Sequence, residues 1–241
     1  MPHEPMTAEL DDAVRQADPD RWLATRFIAD EQARAELVAL YALNNELARA
    51  AQVASNALLG EIRLTWWREA MEEVAAGKPH RRHPIVDVLA HSAFDPLALA
   101  ELAEARMPDL DAEPFADEAA VLAYVDATAG ALMALAAQRL AADAEPAQTR
   151  SAARAWALAG LWRSGKAGGR IRLPGDWAET DVKSRVRAAL VQANREGRGL
   201  AADAFPAMAY ATLAARYAAG AQMGEFERKA RLTWAVARGR V

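Results

Sequence analysis

Residues 30–52 read DEQARAELVALYALNNELARAAQ, and this stretch predicts a long α-helix. Its large apolar residues Leu37, Leu40, Tyr41 and Leu47 are separated by three, four and seven positions, which places them on one helical face. Over the whole chain alanine dominates, with leucine, arginine and glutamate behind it, and all four favour helices. No segment alternates apolar and polar residues over the length of a strand. The sequence therefore predicts an all-α fold.

Helix start and stop signals divide the rest of the chain. An acid or histidine precedes proline at residues 18–19, 83–84 and 95–96, which is typical of a cap followed by the first helical turn. Gly77 and Pro79 form a stop signal. Further helices are predicted at about residues 58–75, 84–92, 96–106, 115–142, 146–164, 179–195, 203–218 and 222–238.

The chain of 241 residues is long enough for one domain with a large core. The loop 107–114 carries two prolines and three acids, but a single loop is a weak domain boundary. We therefore predict one domain over residues 1–241. In that domain the first 17 residues or so and the C-terminal helix 225–241 are expected to be peripheral.

Charge and composition exclude several classes of function. The chain has no cysteine, so disulfides and thiolate chemistry are excluded, and its net charge of −4 argues against a nucleic-acid partner. The acidic start MPHEPMTAELDDAV does not resemble a secretory signal, and no run of about 18 apolar residues predicts a membrane span. We expect a cytoplasmic protein. The basic helix 225–241 leaves two options, a packed terminal helix with a basic outer face, or a helix that contacts a partner or the inner membrane.

Two groups of segments carry a family resemblance. The first group is YALNNELAR at 41–49, LGEIRLTWWRE at 59–69, and His83-Pro84. The second group is Tyr124 with Gly130, RAWALAGLWR at 154–163, and GRIRLP at 169–174. In order and spacing these segments resemble the squalene/phytoene synthase family over roughly residues 20–175.

The resemblance implies a single isoprenoid-synthase-type helical bundle around a central cavity. Enzymes of this family join two prenyl diphosphates head to head, and two aspartate-rich motifs on facing helices hold the Mg²⁺ ions that bind the diphosphate. Because diphosphate carries a high negative charge, it leaves readily only when that charge is neutralised. Mg²⁺ is therefore expected here only if the chain is an active synthase, and otherwise no cofactor is expected.

The aligned positions of both acidic motifs hold other residues. The first motif is replaced by Ala48, Arg49 and Gln52, and the second begins at Ser164. No Asp or Glu occurs between Glu145 and Asp176, so the second motif has not shifted by a few residues. We therefore predict no catalytic residue and no metal site.

One branch of the family resembles the chain in more detail. The features that carry this resemblance are Asn44-x-Glu46-Leu47, Gly60-x-x-Arg63 and the acid-free Leu161-x-Arg163. They are similar to the mitochondrial complex I assembly factor with a phytoene-synthase-like domain, which is regarded as non-catalytic. The main hypothesis is therefore an assembly or scaffold protein with an unidentified protein partner.

Two alternatives stay open. The first is a head-to-head prenyltransferase that takes its carboxylates from other positions, namely Glu46, Glu61 and Glu69. The second is an isoprenoid- or lipid-binding protein that keeps the cavity without the chemistry. Candidate cavity or anion-binding residues are Tyr41, Asn44, Glu46, Arg63, Trp67, Arg163, Arg170 and Arg172.

Each candidate also has a structural interpretation. Arginine suits phosphate, but Arg163, Arg170 and Arg172 are equally consistent with a solvated basic loop. Asn44 and Glu46 can satisfy each other or neighbouring backbone within the bundle. Trp67 and its neighbour Trp66 point about 100° apart on a helix, so at most one of them faces a given pocket.

Overall fold

The structure, a computed structural model, describes residues 4–53, 57–111, 113–166 and 173–241. The described residues form helices and turns, without a strand, so the all-α prediction is confirmed. Their contacts group the chain into two compact units, Met1–Asp111 and Ala112–Val241. The division falls within the proline- and acid-rich loop 107–114.

The first unit is built around one long helix. Its elements are α1 (Glu4–Ala17), α2 (Pro19–Thr25), α3 (Glu31–Val53), α4 (Ala57–Ala75), α5 (Pro84–Leu89) and α6 (Pro96–Glu104), with a 3₁₀ turn at Met107–Leu110. Helix α3 packs against α1, α4 and α5, and α4 packs against α6. The apolar face predicted from the sequence is confirmed, because Leu37, Leu40, Tyr41 and Leu47 are all buried.

The predicted caps occupy their positions in the first unit. The Asp18 carboxylate accepts a hydrogen bond from the backbone N–H of Arg21, and the Asp95 carboxylate accepts one from Leu97. Gly77 adopts φ of 66°, a left-handed conformation that a residue with a Cβ rarely adopts, and the chain leaves α4 there. These local signals fix where three of the helices begin or end.

The N-terminal segment forms a helix that packs against the first unit's long helix. Residues expected to be peripheral form α1, which packs against α3 and buries Leu10 and Val14. Asp11 on α1 also accepts hydrogen bonds from the Trp22 indole at 2.8 Å and from the Arg26 guanidinium at 2.6 Å. The segment is acidic in composition, but it is an amphipathic helix whose buried apolar residues Leu10 and Val14 are four positions apart.

The second unit contains α7 (Glu118–Val125), α8 (Ala131–Leu140), α9 (Pro146–Lys166), α10 (Glu179–Glu196), α11 (Pro206–Ala209), α12 (Ala214–Ala218) and α13 (Glu225–Arg238). Helix α9 packs against α8, α10 and α12. Its core includes Val121, Val125, Leu158, Leu173, Val182, Val186, Leu213 and Tyr217. The single helix predicted at 203–218 is instead a series of short α and 3₁₀ segments, with Pro206 beginning the first α segment.

Helices α7 and α8 are continuous through a π-helical turn, Asp126–Gly130. Contrary to the expectation from the sequence, the combined helix Glu118–Leu140 is long and apolar enough to cross a membrane by length and composition. Half of its most apolar window is buried inside the protein. Val121, Val125 and Leu132 are among its completely buried residues, so its apolar character is explained by core packing.

Candidate functional site

The turn of α3 aligned with the first acidic motif is partly exposed. Ala48 is half-buried and Arg49 is exposed, and the Arg49 guanidinium Nη1 lies 3.2 Å from the Glu46 carboxylate. This pair spans three positions along one helix, so both partners stay on the same surface. The Gln52 side chain lies outside the described residues. At the position where the resemblance implies an aspartate, the chain therefore carries a cation that is paired with its own counter-ion.

Asn44 and Tyr41 lie further inside the first unit. Asn44 is buried, and its side-chain oxygen accepts a hydrogen bond from Arg106 Nη2 at 3.1 Å. Arg106 also reaches Asp109 at 3.4 Å. Asn44 and Glu46 thus each bond to an arginine, Arg106 and Arg49 respectively. Tyr41 is buried beneath the Arg21 guanidinium, which lies 5.8 Å from the ring centroid.

The two adjacent tryptophans of α4 converge on one histidine. Trp67 is buried, and its ring centroid lies 4.8 Å from that of His83; the Trp66 centroid lies 5.8 Å from the same imidazole. His83 caps α5, and its Nδ1 accepts a hydrogen bond from the backbone of Ile85 at 3.2 Å. Burial lowers the pKa of His83, against the smaller opposing effect of the Glu46 charge. The rings therefore form an apolar packing cluster around an imidazole whose burial disfavours the charged form.

Glu69 is another of the carboxylates that an enzyme could use instead of the aspartates, and it is paired with Arg81. Its carboxylate lies 2.9 Å from Arg81 Nη2, and the same guanidinium bonds Glu73 through Nε at 2.9 Å. The two hydrogen bonds raise the pKa of Arg81. Glu61 and Arg63 are exposed on α4.

The turn of α9 aligned with the second acidic motif is basic. Arg163 and Ser164 are exposed, and the Arg163 guanidinium lies 4.1 Å from the ring centroid of Tyr217. Lys166 forms an ion pair with Glu179, and this hydrogen bond is the largest cause that lowers the pKa of Glu179 to about 2. Arg170 and Arg172 lie outside the described residues. At the described end of α9, the positive charge of Arg163 thus lies against Tyr217 and that of Lys166 is paired with Glu179.

A carboxylate that the sequence analysis missed lies in the π-helical turn. Asp126 accepts two hydrogen bonds from Arg154 of α9, at 2.8 Å from Nε and 2.6 Å from Nη2. The bond to Asp126 raises the pKa of Arg154. The partners are 28 positions apart, so no local spacing could reveal them. The motif Tyr124-x5-Gly130 that contains Asp126 was the only sequence signal nearby.

These donor sets do not fit the Mg²⁺ ions that the family resemblance implies. Mg²⁺ requires oxygen ligands in a near-octahedral arrangement, usually including carboxylates. In the four described ranges no group of three or more acid or histidine side chains is arranged to hold a metal ion. Glu46, Glu69 and Asp126 each bond an arginine instead.

Comparison with known proteins identifies relatives at two levels. The family model described as squalene/phytoene synthase matches residues 14–239. A crystal structure of a dehydrosqualene synthase in complex with ligand is similar in fold, with a TM-score of 0.79 and 11% sequence identity over 98% of this chain and 96% of that chain. No curated protein sequence matches the chain. At this identity, the structural similarity establishes the helical isoprenoid-synthase-like fold.

Proposed function

Because the chain belongs to the squalene/phytoene synthase family, we propose that it is a non-catalytic member that uses the synthase fold as a scaffold in protein assembly. The observation that carries this proposal is the Arg49–Glu46 pair, with a nitrogen–oxygen distance of 3.2 Å. Arg49 stands at a position where the resemblance implies an aspartate. Its guanidinium is bonded to Glu46, the carboxylate that could otherwise replace that metal ligand. Substitution of carboxylate by guanidinium reverses the charge that a metal ion would meet.

The second aligned turn supports the same proposal independently. Arg163, Ser164 and Lys166 all lie in the last turn of α9, and Glu179 is bonded to both Lys166 and Lys183. Such a turn attracts anions and repels Mg²⁺. A cationic surface could bind a diphosphate directly, but equal stabilisation of the ground state and the transition state does not accelerate ionisation.

The assembly role itself rests on the resemblance of Asn44-x-Glu46 and Leu161-x-Arg163 to the non-catalytic complex I assembly factor. The Asn44–Arg106 and Glu46–Arg49 contacts give those residues structural roles that do not require a substrate. We therefore infer that these polar residues maintain the fold of the first unit. The partner would be a subunit or assembly intermediate of a respiratory NADH:quinone oxidoreductase.

The first experiment separates this proposal from the enzyme alternative, which the family model and the fold similarity to a dehydrosqualene synthase favour. Purified protein is incubated with farnesyl or geranylgeranyl diphosphate, with and without Mg²⁺, and both pyrophosphate release and extractable C30 or C40 product are measured. We expect no turnover above a heat-killed control. The variant with Ala48→Asp and Gln52→Asp should also be inactive, because the α9 motif is still absent. Metal-dependent product from the unmodified chain would support the prenyltransferase instead.

The second experiment tests the assembly role. Deletion of the gene in the source organism should reduce assembled complex I and NADH:quinone oxidoreductase activity while the cellular polyprenyl hydrocarbons stay unchanged. The reverse pattern, normal complex I with altered hydrocarbons, would contradict the proposal. Native mass spectrometry of the purified protein addresses the remaining alternative, since a stoichiometric co-purifying isoprenoid or lipid would favour a lipid-binding protein.

A further inference from the structure

Helix α13 presents opposite faces to the protein and to solvent. Leu232 and Ala235 are buried, and the helix packs against the segment Pro206–Leu213. On the outer side Phe226 is 86% exposed and Trp234 is 63% exposed, more than any other large apolar side chain in the described residues. The structure thus separates the apolar residues that hold the helix against the protein from those that face solvent.

The outward residues form a strip along the helix. Phe226 and Trp234 are eight positions apart, which corresponds to about 12 Å along the axis and about 80° around it. Ala230, Thr233 and Ala237 lie on the same side by helical periodicity and are all exposed. The face between the two aromatic rings is therefore made of small side chains, so both rings can contact one flat surface together.

The helix is anchored at its C-terminal end. Gly239 adopts a left-handed φ of 59° that ends the helix, and the backbone N–H of Val241 donates to the Asn194 side-chain oxygen at 3.0 Å. The Asn194 amide nitrogen in turn donates to the carbonyl oxygen of Val241 at 2.7 Å. With Leu232 and Ala235 buried between its ends, the helix displays its aromatic residues from a fixed position in the second unit.

Positive charge flanks the aromatic strip. Residues 225–241 carry five basic and two acidic side chains, a local net charge of +3 in a chain whose net charge is −4. One of the two acids, Glu227, is bonded to Arg231 at 2.9 Å and lies 3.5 Å from Arg216. The Arg238 guanidinium lies 4.7 Å from the Trp234 ring centroid, which brings a cation directly beside the exposed indole.

We propose that the outer face of α13 docks on an anionic lipid surface. Exposed aromatic rings flanked by Lys and Arg suit the boundary between headgroups and acyl chains, where the rings enter the apolar layer and the cations bind phosphates. The strip contains only two large apolar side chains along one helix, which is small compared with the roughly 800 Å² that each partner buries in a stable protein interface. A lipid surface therefore fits better than a protein partner, and this inference is independent of the proposed function.

Vesicle co-sedimentation tests the proposal directly. The purified full chain is mixed at low salt with vesicles of phosphatidylcholine alone, or of phosphatidylcholine with 30% phosphatidylglycerol. Binding to the anionic vesicles should exceed binding to neutral vesicles by about tenfold and should weaken at high salt. Phe226→Ser with Trp234→Ser, and separately Arg238→Glu with Arg240→Glu, should each reduce that binding by about tenfold.

Matched controls distinguish the α13 face from general surface hydrophobicity. Leu97 and Val191 are also exposed, at 53% and 55%, and Leu97→Ser with Val191→Ser should leave vesicle binding unchanged. Quenching of indole fluorescence by brominated lipid should be reduced in Trp234→Phe. Equal sedimentation of wild type and the Phe226/Trp234 variant, or no binding of wild type at low salt, would overturn the proposal. A dimer that is lost in the same variant, without vesicle binding, would show a protein interface instead.

Discussion

The orientation of α13 makes a direct prediction about stability, because Leu232 and Trp234 lie two positions apart on opposite faces. Leu232 is completely buried, whereas Trp234 is 63% exposed. Leu232→Ala should destabilise the protein by about 2–3 kcal/mol, the lower part of the range for leucine truncation in a core. The cost is expected in the lower part of that range because α13 packs mainly against one segment, Pro206–Leu213. The helix can therefore shift and close part of the cavity that the substitution leaves.

Trp234→Ala should cost less although it removes a larger side chain. Most of the indole is already in water, so its removal changes little buried area. The contact with Arg238 contributes about 0.5–1 kcal/mol at an exposed site. The expected cost is therefore below about 1 kcal/mol, which reverses the order expected from side-chain size alone.

Urea denaturation measures both variants. With a slope of about 2–3 kcal/mol/M, Leu232→Ala should shift the midpoint by about 1 M and Trp234→Ala by less than about 0.4 M. Because the chain contains two compact units, hydrogen exchange within residues 225–238 provides a local readout of the same comparison. If Trp234→Ala destabilises the protein as much as Leu232→Ala, the described orientation of α13 and the docking proposal are both wrong.

Two further predictions concern polar contacts, one in each unit. Arg106→Met should lower the free energy of unfolding by about 1–3 kcal/mol, because the buried side-chain oxygen of Asn44 loses its donor. Adding Asn44→Ala to the Arg106→Met variant should lower it little further. If chemical denaturation shows that the two losses are additive, the two residues are not coupled. Lys166→Ala should raise the pKa of Glu179 from about 2 toward 4.5, as read by NMR titration of the carboxyl carbon. Since the pKa of Glu179 is lowered in the folded state, the Lys166–Glu179 pair stabilises the wild type above about pH 4.5, and this contribution is lost as the pH falls toward 2. An unchanged pKa of Glu179 in the variant would show that Lys183 alone lowers it.

Local signals in the sequence were sufficient for most helix boundaries. Asp18, Asp95 and Gly77 act through hydrogen bonds or backbone conformations within a few residues, so their types and positions identify them. The buried face of α3 follows equally from its spacing. Both are properties of a single helix, which is why one sequence could predict them.

Contacts between distant segments were not accessible from the sequence. Asn44 bonds Arg106, 62 positions away, and Asp126 bonds Arg154, 28 positions away. The contact with Pro206–Leu213 determines which face of α13 points outward. The amphipathic pattern of the sequence does not identify that face. The π-helical turn Asp126–Gly130 is likewise a change of backbone register without a composition signal.

If the chain is non-catalytic, as proposed, single substitutions should not create a magnesium site, because the carboxylates near the two turns are already paired. Glu46, Glu69 and Asp126 are each neutralised by an arginine, so a metal ion would have to displace a guanidinium as well as bind oxygen. Arginine stays protonated at any physiological pH, and breaking such a pair leaves an unpaired cation beside the incoming ion. On that proposal, metal-dependent chemistry would require removing the cations and adding acids on both α3 and α9.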